Sequence, residues 1–265
     1  MESLLTLSIG DYHTVELALR LTVALTGMTA LLLLLCTSCT QQQFRFPLML
    51  SGVALLGATW FESGTWLAWK EAFELAGTSY CVTGHLLAGE DRIIAWSIGV
   101  PAILFCCGLN QIPWGKGGSF LLERLAAVVL GLALLAPFSS IIGLLLLGYA
   151  LYLLCFGTSR TSVATKVVAA SILLGTMITV LGSFHLLPLL TMGKSTDALL
   201  VHGEIIRSLC DILSLVIPSI ILLTDVLRRG FFVAETTAQS APMKEKKLKP
   251  RVAEIPDPQS GLFGN

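Results

Sequence analysis

Residues 198–227 read Ala198-Leu-Leu-Val-His202-Gly-Glu204-Ile-Ile-Arg207-Ser-Leu-Cys-Asp211-Ile-Leu-Ser-Leu215-Val-Ile-Pro-Ser-Ile-Ile-Leu-Leu-Thr-Asp225-Val-Leu227. The stretch exceeds the ~20 residues a helix needs to cross a ~30 Å hydrocarbon core. Its few charges are ordered. Glu204, Arg207 and Asp211 stand at i, i+3 and i+7 and therefore share one helix face. Charged groups at membrane depth are costly and are normally paired or turned toward water. One membrane helix with an inward polar stripe is the expectation, and the stripe requires partners on other helices.

Those partners are available. Six more apolar runs occupy 14–36, 47–69, 92–109, 119–138, 140–157 and 163–187. Apolar residues make up 54% of the chain and charged residues 13%, too few charges for a soluble protein of 265 residues. Backbone groups in lipid must be satisfied within the segment, so the runs are helices. They lack the alternation of a membrane barrel. The predicted fold class is an all-α membrane protein, a seven-transmembrane-helix bundle.

Loop charges set the expected topology. Arg45, Lys116, Arg160, Lys166, Arg228, Arg229 and the basic cluster at 244–251 fall on one side. Glu2, Asp11, Glu71, Glu74, Glu90 and Asp197 fall on the other. The positive-inside rule then predicts an outside N-terminus and a cytoplasmic C-terminus. The start, Met1-Glu2-Ser3, has no basic n-region, so no cleaved signal peptide is expected. The organisation follows: 1–13 an extracellular N-terminus, 14–230 the seven-helix domain, and 231–265 a flexible cytoplasmic tail too polar to fold alone. The tail's basic run reads as solvated and topology-fixing rather than as a headgroup ligand.

Catalytic motifs are missing. The chain has no Gly-rich phosphate loop, nucleophile elbow or HExxH, and an enzyme is not expected. Cys36 and Cys39 form a CxxC at a helix end with no second pair beside it, which argues against a metal. Cys106, Cys107, Cys155 and Cys210 lie in apolar runs as small hydrophobes, while Cys81 is expected in an outer loop. His185 and His202 are too far apart to suggest a metal site. Glu16 and Arg20 read as a local ion pair, and Glu123-Arg124 as an interface anchor. Zero net charge conceals the loop asymmetry and says nothing of partners. Nothing points to nucleic acid.

The third run reads Arg92-Ile-Ile-Ala95-Trp96-Ser-Ile-Gly-Val-Pro101-Ala-Ile-Leu-Phe-Cys106. It resembles helix C of the microbial rhodopsins of the proteorhodopsin and bacteriorhodopsin group. In that group an arginine precedes a counterion aspartate by three residues, followed by a tryptophan, a proline and a carboxylate donor. Arg92, Trp96 and Pro101 are in register, Ala95 takes the counterion position, and Cys106 takes the donor position. The stretch Ser208-Leu-Cys-Asp211-Ile-Leu-Ser-Leu215 resembles helix G, with Leu215 where the family carries the lysine of its retinal Schiff base. Supporting likeness comes from Ser51-Gly52 and Trp60 on the second run and from Tyr149, Tyr152 and Gly157 on the fifth. The sixth run departs most. Alignment through Gly175 and Gly182 puts Thr176, Thr179 and Val180 where the family has a tryptophan, a tyrosine and a proline.

The resemblance implies a lysine-less, non-photoactive member of the family: an integral membrane protein with a structural, assembly or signalling role. Neither covalent retinal nor light-driven pumping is expected, and no cofactor, although Thr176 and Thr179 would leave room for a non-covalent apolar ligand. Two alternatives stand beside it: a light-independent ion or proton conduit, and a non-covalent retinoid, carotenoid or lipid binder. The candidate site is an outer polar cluster of Glu62, Arg92, Glu204, Arg207 and Asp211, read as a structural ion-pair network in preference to an ion site. Expected partners are the lipid bilayer and either further copies of the chain, as trimer or pentamer by family resemblance, or another membrane protein. Gly131, Gly143 and Gly148 would permit close helix packing.

Overall fold

A computed structural model describes residues 5–85, 90–109, 145, 147–149, 151–152, 163–181 and 196–240. In chain order they form β1 (Thr6–Ser8), α1 (Ile9–Cys39), α2 (Gln42–Ala72), β2 (Phe73–Ala76), β3 (Ser79–Val82), α3 (Glu90–Leu109), α4 (Val163–Leu181), α5 (Thr196–Asp211), a π-helical turn (Ile212–Val216) and α6 (Ile217–Ser240). Helices therefore stand on the expected runs 14–36, 47–69, 92–109 and 199–227, and on residues 163–181 of the run 163–187. The run at 119–138 and most of 140–157 lie outside the described residues, as do Lys116, Glu123, Arg124, Gly131, Gly143, Cys155, Gly157, Arg160, Gly182, His185 and 241–265. Within the described residues, Ile9–Cys39, Gln42–Ala72 and Asp197–Arg229 are long and apolar enough to cross a membrane, with mean hydropathies of 2.0, 1.3 and 2.1.

Helix α1 begins before its apolar run because Ser8 caps it. The Ser8 hydroxyl accepts the Asp11 backbone N–H at 3.1 Å, and Asp11 in the first turn complements the helix dipole. One face of α1 is buried through Val15, Leu19, Thr22, Thr26, Ala30 and Leu33. Leu17, Leu21, Leu25, Met28 and Leu35 are exposed on the other side, as a lipid-facing helix requires. The buried hydroxyls of Thr22 and Thr26 donate to the carbonyls of Ala18 and Thr22, at 3.0 and 2.8 Å, so they cost the interior little. The two residues Thr40 and Gln41 return the chain into α2. The helices close tightly at Gly52, where an added Cβ would meet Leu34 Cγ at 2.7 Å.

The central core gathers Leu33, Leu48, Leu55, Ala95, Ile103, Leu147, Ile172, Leu215 and Val226 from all the described helices. A second cluster of Leu7, Tyr12, Val15, Leu19, Trp69, Phe73 and Val201 seals one end. Over that end lies an antiparallel sheet of order β1-β3-β2, with Leu7 opposite Tyr80 and Leu75 opposite Tyr80 on the other side. The β2–β3 turn is two residues, Gly77 and Thr78, with Gly77 at φ +67. Tyr80 stacks on Tyr12 with ring centroids 3.7 Å apart, and Tyr12 lies over Trp69 at 5.8 Å. Cys81, expected in a loop, is a strand residue.

The π turn has a local cause. Pro218 has no N–H, and its ring would crowd the carbonyl four residues back in a regular α-helix. The chain widens just before it, with the Ile217 N–H donating to the Ile212 carbonyl. Leu215 sits inside this widened turn, and its carbonyl accepts the Ser219 hydroxyl at 2.6 Å.

Candidate charge site between the helices

Arg92 stands near the start of α3, one turn before Trp96, so both side chains share a face. Across from them is the polar stripe of α5. Arg92 Nη1 donates to Glu204 Oε2 at 3.2 Å, and its Nε lies 2.8 Å from Asp211 Oδ2 in an ion contact off the hydrogen-bond axis. Trp96 Nε1 donates to the second Asp211 oxygen, Oδ1, at 2.8 Å. Arg207 pairs with Glu204 Oε1 and is about one-third exposed at the rim. Asp211 is fully buried. Glu62 comes from α2 with 1% of its surface exposed, and Asp211, Arg92, Glu204 and Asp91 are its charged neighbours. The structure thus brings Glu62, Arg92, Glu204, Arg207 and Asp211 to one place. Neither carboxylate oxygen of Glu62 meets a hydrogen-bond partner among the described residues.

The other sequence-singled positions surround this site. Ala95 is fully buried against the core. Cys106 is also buried, and its thiol donates to the Pro47 carbonyl at 2.9 Å. Pro101 is buried within α3. Leu215 is fully buried and packs on Gly99, where an added Cβ would come within 2.6 Å of Leu215 Cδ2. Thr176 is buried with its hydroxyl on the Ile172 carbonyl at 3.0 Å, while Thr179 is half-buried. The side chain of Val180 is outside the described residues. Trp60 points away from the interior and is largely exposed.

Several polar groups near the site have no signal in a charge-based reading. Three residues on from Asp211, the hydroxyl of Ser214 is shut from solvent without a hydrogen-bond partner among the described residues, and Gly175 leaves the space into which it points. Asp91, which the reading of the loop charges did not single out, lies against Gly64 of α2. The expected pair of Glu16 and Arg20 forms at 2.6 Å and is joined by His13 at 3.2 Å. Arg20 and Lys70 flank the Trp66 ring at 5.2 and 5.5 Å. His202 makes only a local contact, Nδ1 to the Ala198 carbonyl at 2.5 Å. Asp225 pairs with Arg229 at 2.8 Å near the other end. No disulfide joins Cys36, Cys39, Cys81, Cys106, Cys107 or Cys210 to one another, and no group of His, Cys, Asp or Glu among the described residues is placed to hold a metal.

The fold that carries this site is the seven-helix membrane bundle of the microbial rhodopsins. Xanthorhodopsin, described as a light-driven ion pump with a dual chromophore, superposes with a TM-score of 0.73 at 18% identity, over 88% of this chain and 99% of its own. A thermophilic rhodopsin superposes at 0.70 with 19% identity, over 87% and 99%. The rhodopsin of Exiguobacterium sibiricum does so at 0.59 with 14% identity, over 83% and 98%. No protein-family model and no curated protein matches the chain. At these identities the likeness establishes the fold, and with it an integral membrane protein.

The expectation of no cofactor is overturned by these neighbours, which are rhodopsins, one of them bearing two chromophores. The physical reason is one of scale. The expectation rested on one position, Leu215, whereas the interior of the bundle is shaped by residues from every described helix.

Proposed function

We propose that this chain is a rhodopsin-fold membrane protein with a structural, assembly or signalling role, and that it does not pump ions in response to light. The observation that carries the reading is the closure of Arg92 on both Glu204 and Asp211, which ties α3 to α5 through buried charge. Pumping by proton transfer needs an acceptor and a donor poised along the path. Ala95 has no titratable group, and the Cys106 thiol is engaged with a backbone carbonyl. Leu215 adds packing in the centre of the bundle where an ionisable side chain would give chemistry. Outside N-terminus, cytoplasmic C-terminus and self-association as trimer or pentamer complete the proposal.

The test is illumination of cells expressing the full chain, with external pH recorded. No light-dependent pH change is expected. Leu215→Lys alone leaves the result unchanged, because positions 95 and 106 still lack carboxylates. A light-driven pH change from either protein overturns the reading. One observation favours a second reading, a light-independent proton conduit: the carboxylate of Glu62 has no neutralising contact of its own. Proton flux in liposomes separates the two.

A further inference from the structure

Glu62 is the least explained group in the molecule. It is a carboxylate with both oxygens buried and without donors among the described residues. Its surroundings do not supply the missing charge. Arg92 Nε and Nη1 are turned to Asp211 and Glu204, its buried Nη2 reaches neither Glu62 oxygen nor any other acceptor among the described residues, and Arg207 sits at the rim on Glu204. Three acids, Glu62, Glu204 and Asp211, thus face two bases, Arg92 and Arg207, which leaves one negative charge in excess. The remaining charged neighbour of Glu62, Asp91 of α3, is itself acidic. On α1 the Arg20 guanidinium is paired with Glu16, which also meets His13. An isolated ionised carboxylate in an apolar interior is so costly that such groups are neutralised instead. A metal ion is not the neutralising agent the geometry fits, since no set of acidic, His or Cys side chains among the described residues converges to hold one.

We propose that Glu62 is a proton-binding site: buried between α2, α3 and α5, it holds one proton, which it exchanges with water through Asp91. Asp91 is half-buried, the least buried of the charged neighbours of Glu62. Its Oδ2 lies 2.7 Å from where a Cβ on Gly64 of α2 would stand, on a face of that helix turned away from the Glu62 side chain. Glycine at 64 is what lets this carboxylate lie against the α2 backbone. The proton leaves a Glu62 oxygen, passes to Asp91 and then to water, and returns by the same groups. The charge left on Glu62 repels Asp211 and Glu204, so deprotonation loosens α2 from α3 and α5. This inference rests on the charge network and is independent of the absence of light-driven pumping.

The experiment is infrared spectroscopy of the full chain in lipid at neutral pH, paired with thermal unfolding across pH. A protonated carboxyl C=O band is expected, shifted by isotopic label in glutamate and not by label in aspartate. Glu62→Gln, the isostere of the neutral acid, abolishes the band, and Asp91→Asn keeps it but slows its shift on transfer to D2O. The folded state then binds one proton more than the unfolded state, so stability falls as pH rises. Wild type loses melting temperature as pH rises above about 4, where a free glutamate ionises, and Glu62→Gln does not. A spectrum with no glutamate acid band overturns the site whether or not any variant folds. So does a band that survives Glu62→Gln, or a melting temperature that follows sodium or potassium at fixed pH. An unchanged D2O exchange in Asp91→Asn overturns the route.

Discussion

Arg92 makes its contacts to residues more than a hundred positions away, yet these contacts were partly legible. Spacing alone placed Glu204, Arg207 and Asp211 on one face, and the cost of charge in lipid demanded a cationic partner. Arg92 and Trp96 meet that demand with an ion contact and an indole hydrogen bond to the same carboxylate. Removing Asp211 leaves Arg92 facing only Glu204 and strands the Trp96 N–H. Breaking a buried pair from one side typically costs about 3–5 kcal/mol. Asp211→Ala is therefore expected to lower the melting temperature in detergent, with Arg92→Met recovering part of the loss in the double variant. Unchanged stability together with altered liposome flux would instead assign the cluster to conduction. The gap in the sequence reading was one of degree: Glu62 was assigned to the cluster, but a string of letters cannot show that its oxygens meet no donor. The packing of Leu215 on Gly99 was equally hidden, because a glycine in a helix carries no sign of which neighbour fills its missing Cβ.

At the scale of elements, helices were read well because apolar length is a strong signal, and their ends were read poorly. Helix α1 starts at Ile9, ahead of its apolar run, because a Ser8 cap and an Asp11 in the first turn act locally. The sheet was missed altogether. Its strands are only three and four residues long, and Glu74 within β2 read as an ordinary loop charge. Gly77-Thr78 between Phe73–Ala76 and Ser79–Val82 was the available cue, a glycine opening a two-residue turn. Gly77→Val tests that turn. A side chain forced to φ +67 costs about 1–2 kcal/mol, so the sheet end should become more open to protease while the membrane helices stay folded. An unaltered digestion pattern would mean the turn does not hold the sheet. The π turn was legible in principle from Pro218, but proline in a membrane helix permits several responses, and sequence does not choose among them.

For the molecule as a whole, the proposed orientation can be read with cysteines already in place. Helix α1 rises about 1.5 Å per residue, so its 31 residues separate the sheet end from the Cys39 end by about 45 Å. Cys81 lies in the sheet and Cys39 is exposed at the far end. A membrane-impermeant maleimide applied to intact cells should label the protein through Cys81, with labelling lost in Cys81→Ser and kept in Cys39→Ser. The reverse pattern would invert the topology. The two-residue link between α1 and α2 bears on how the protein is made. Chains emerge from the N-terminus onward, and a connection of Thr40 and Gln41 leaves α1 and α2 no freedom to enter the bilayer far apart. They arrive as one hairpin, and Glu62 arrives with them. Arg92 follows Glu62 by 30 residues on the next helix, and Asp211 lies much further on. The newborn hairpin therefore holds an acid in lipid before α3 brings Arg92 to the cluster, and a carboxyl group that travels with its own proton makes that interval survivable.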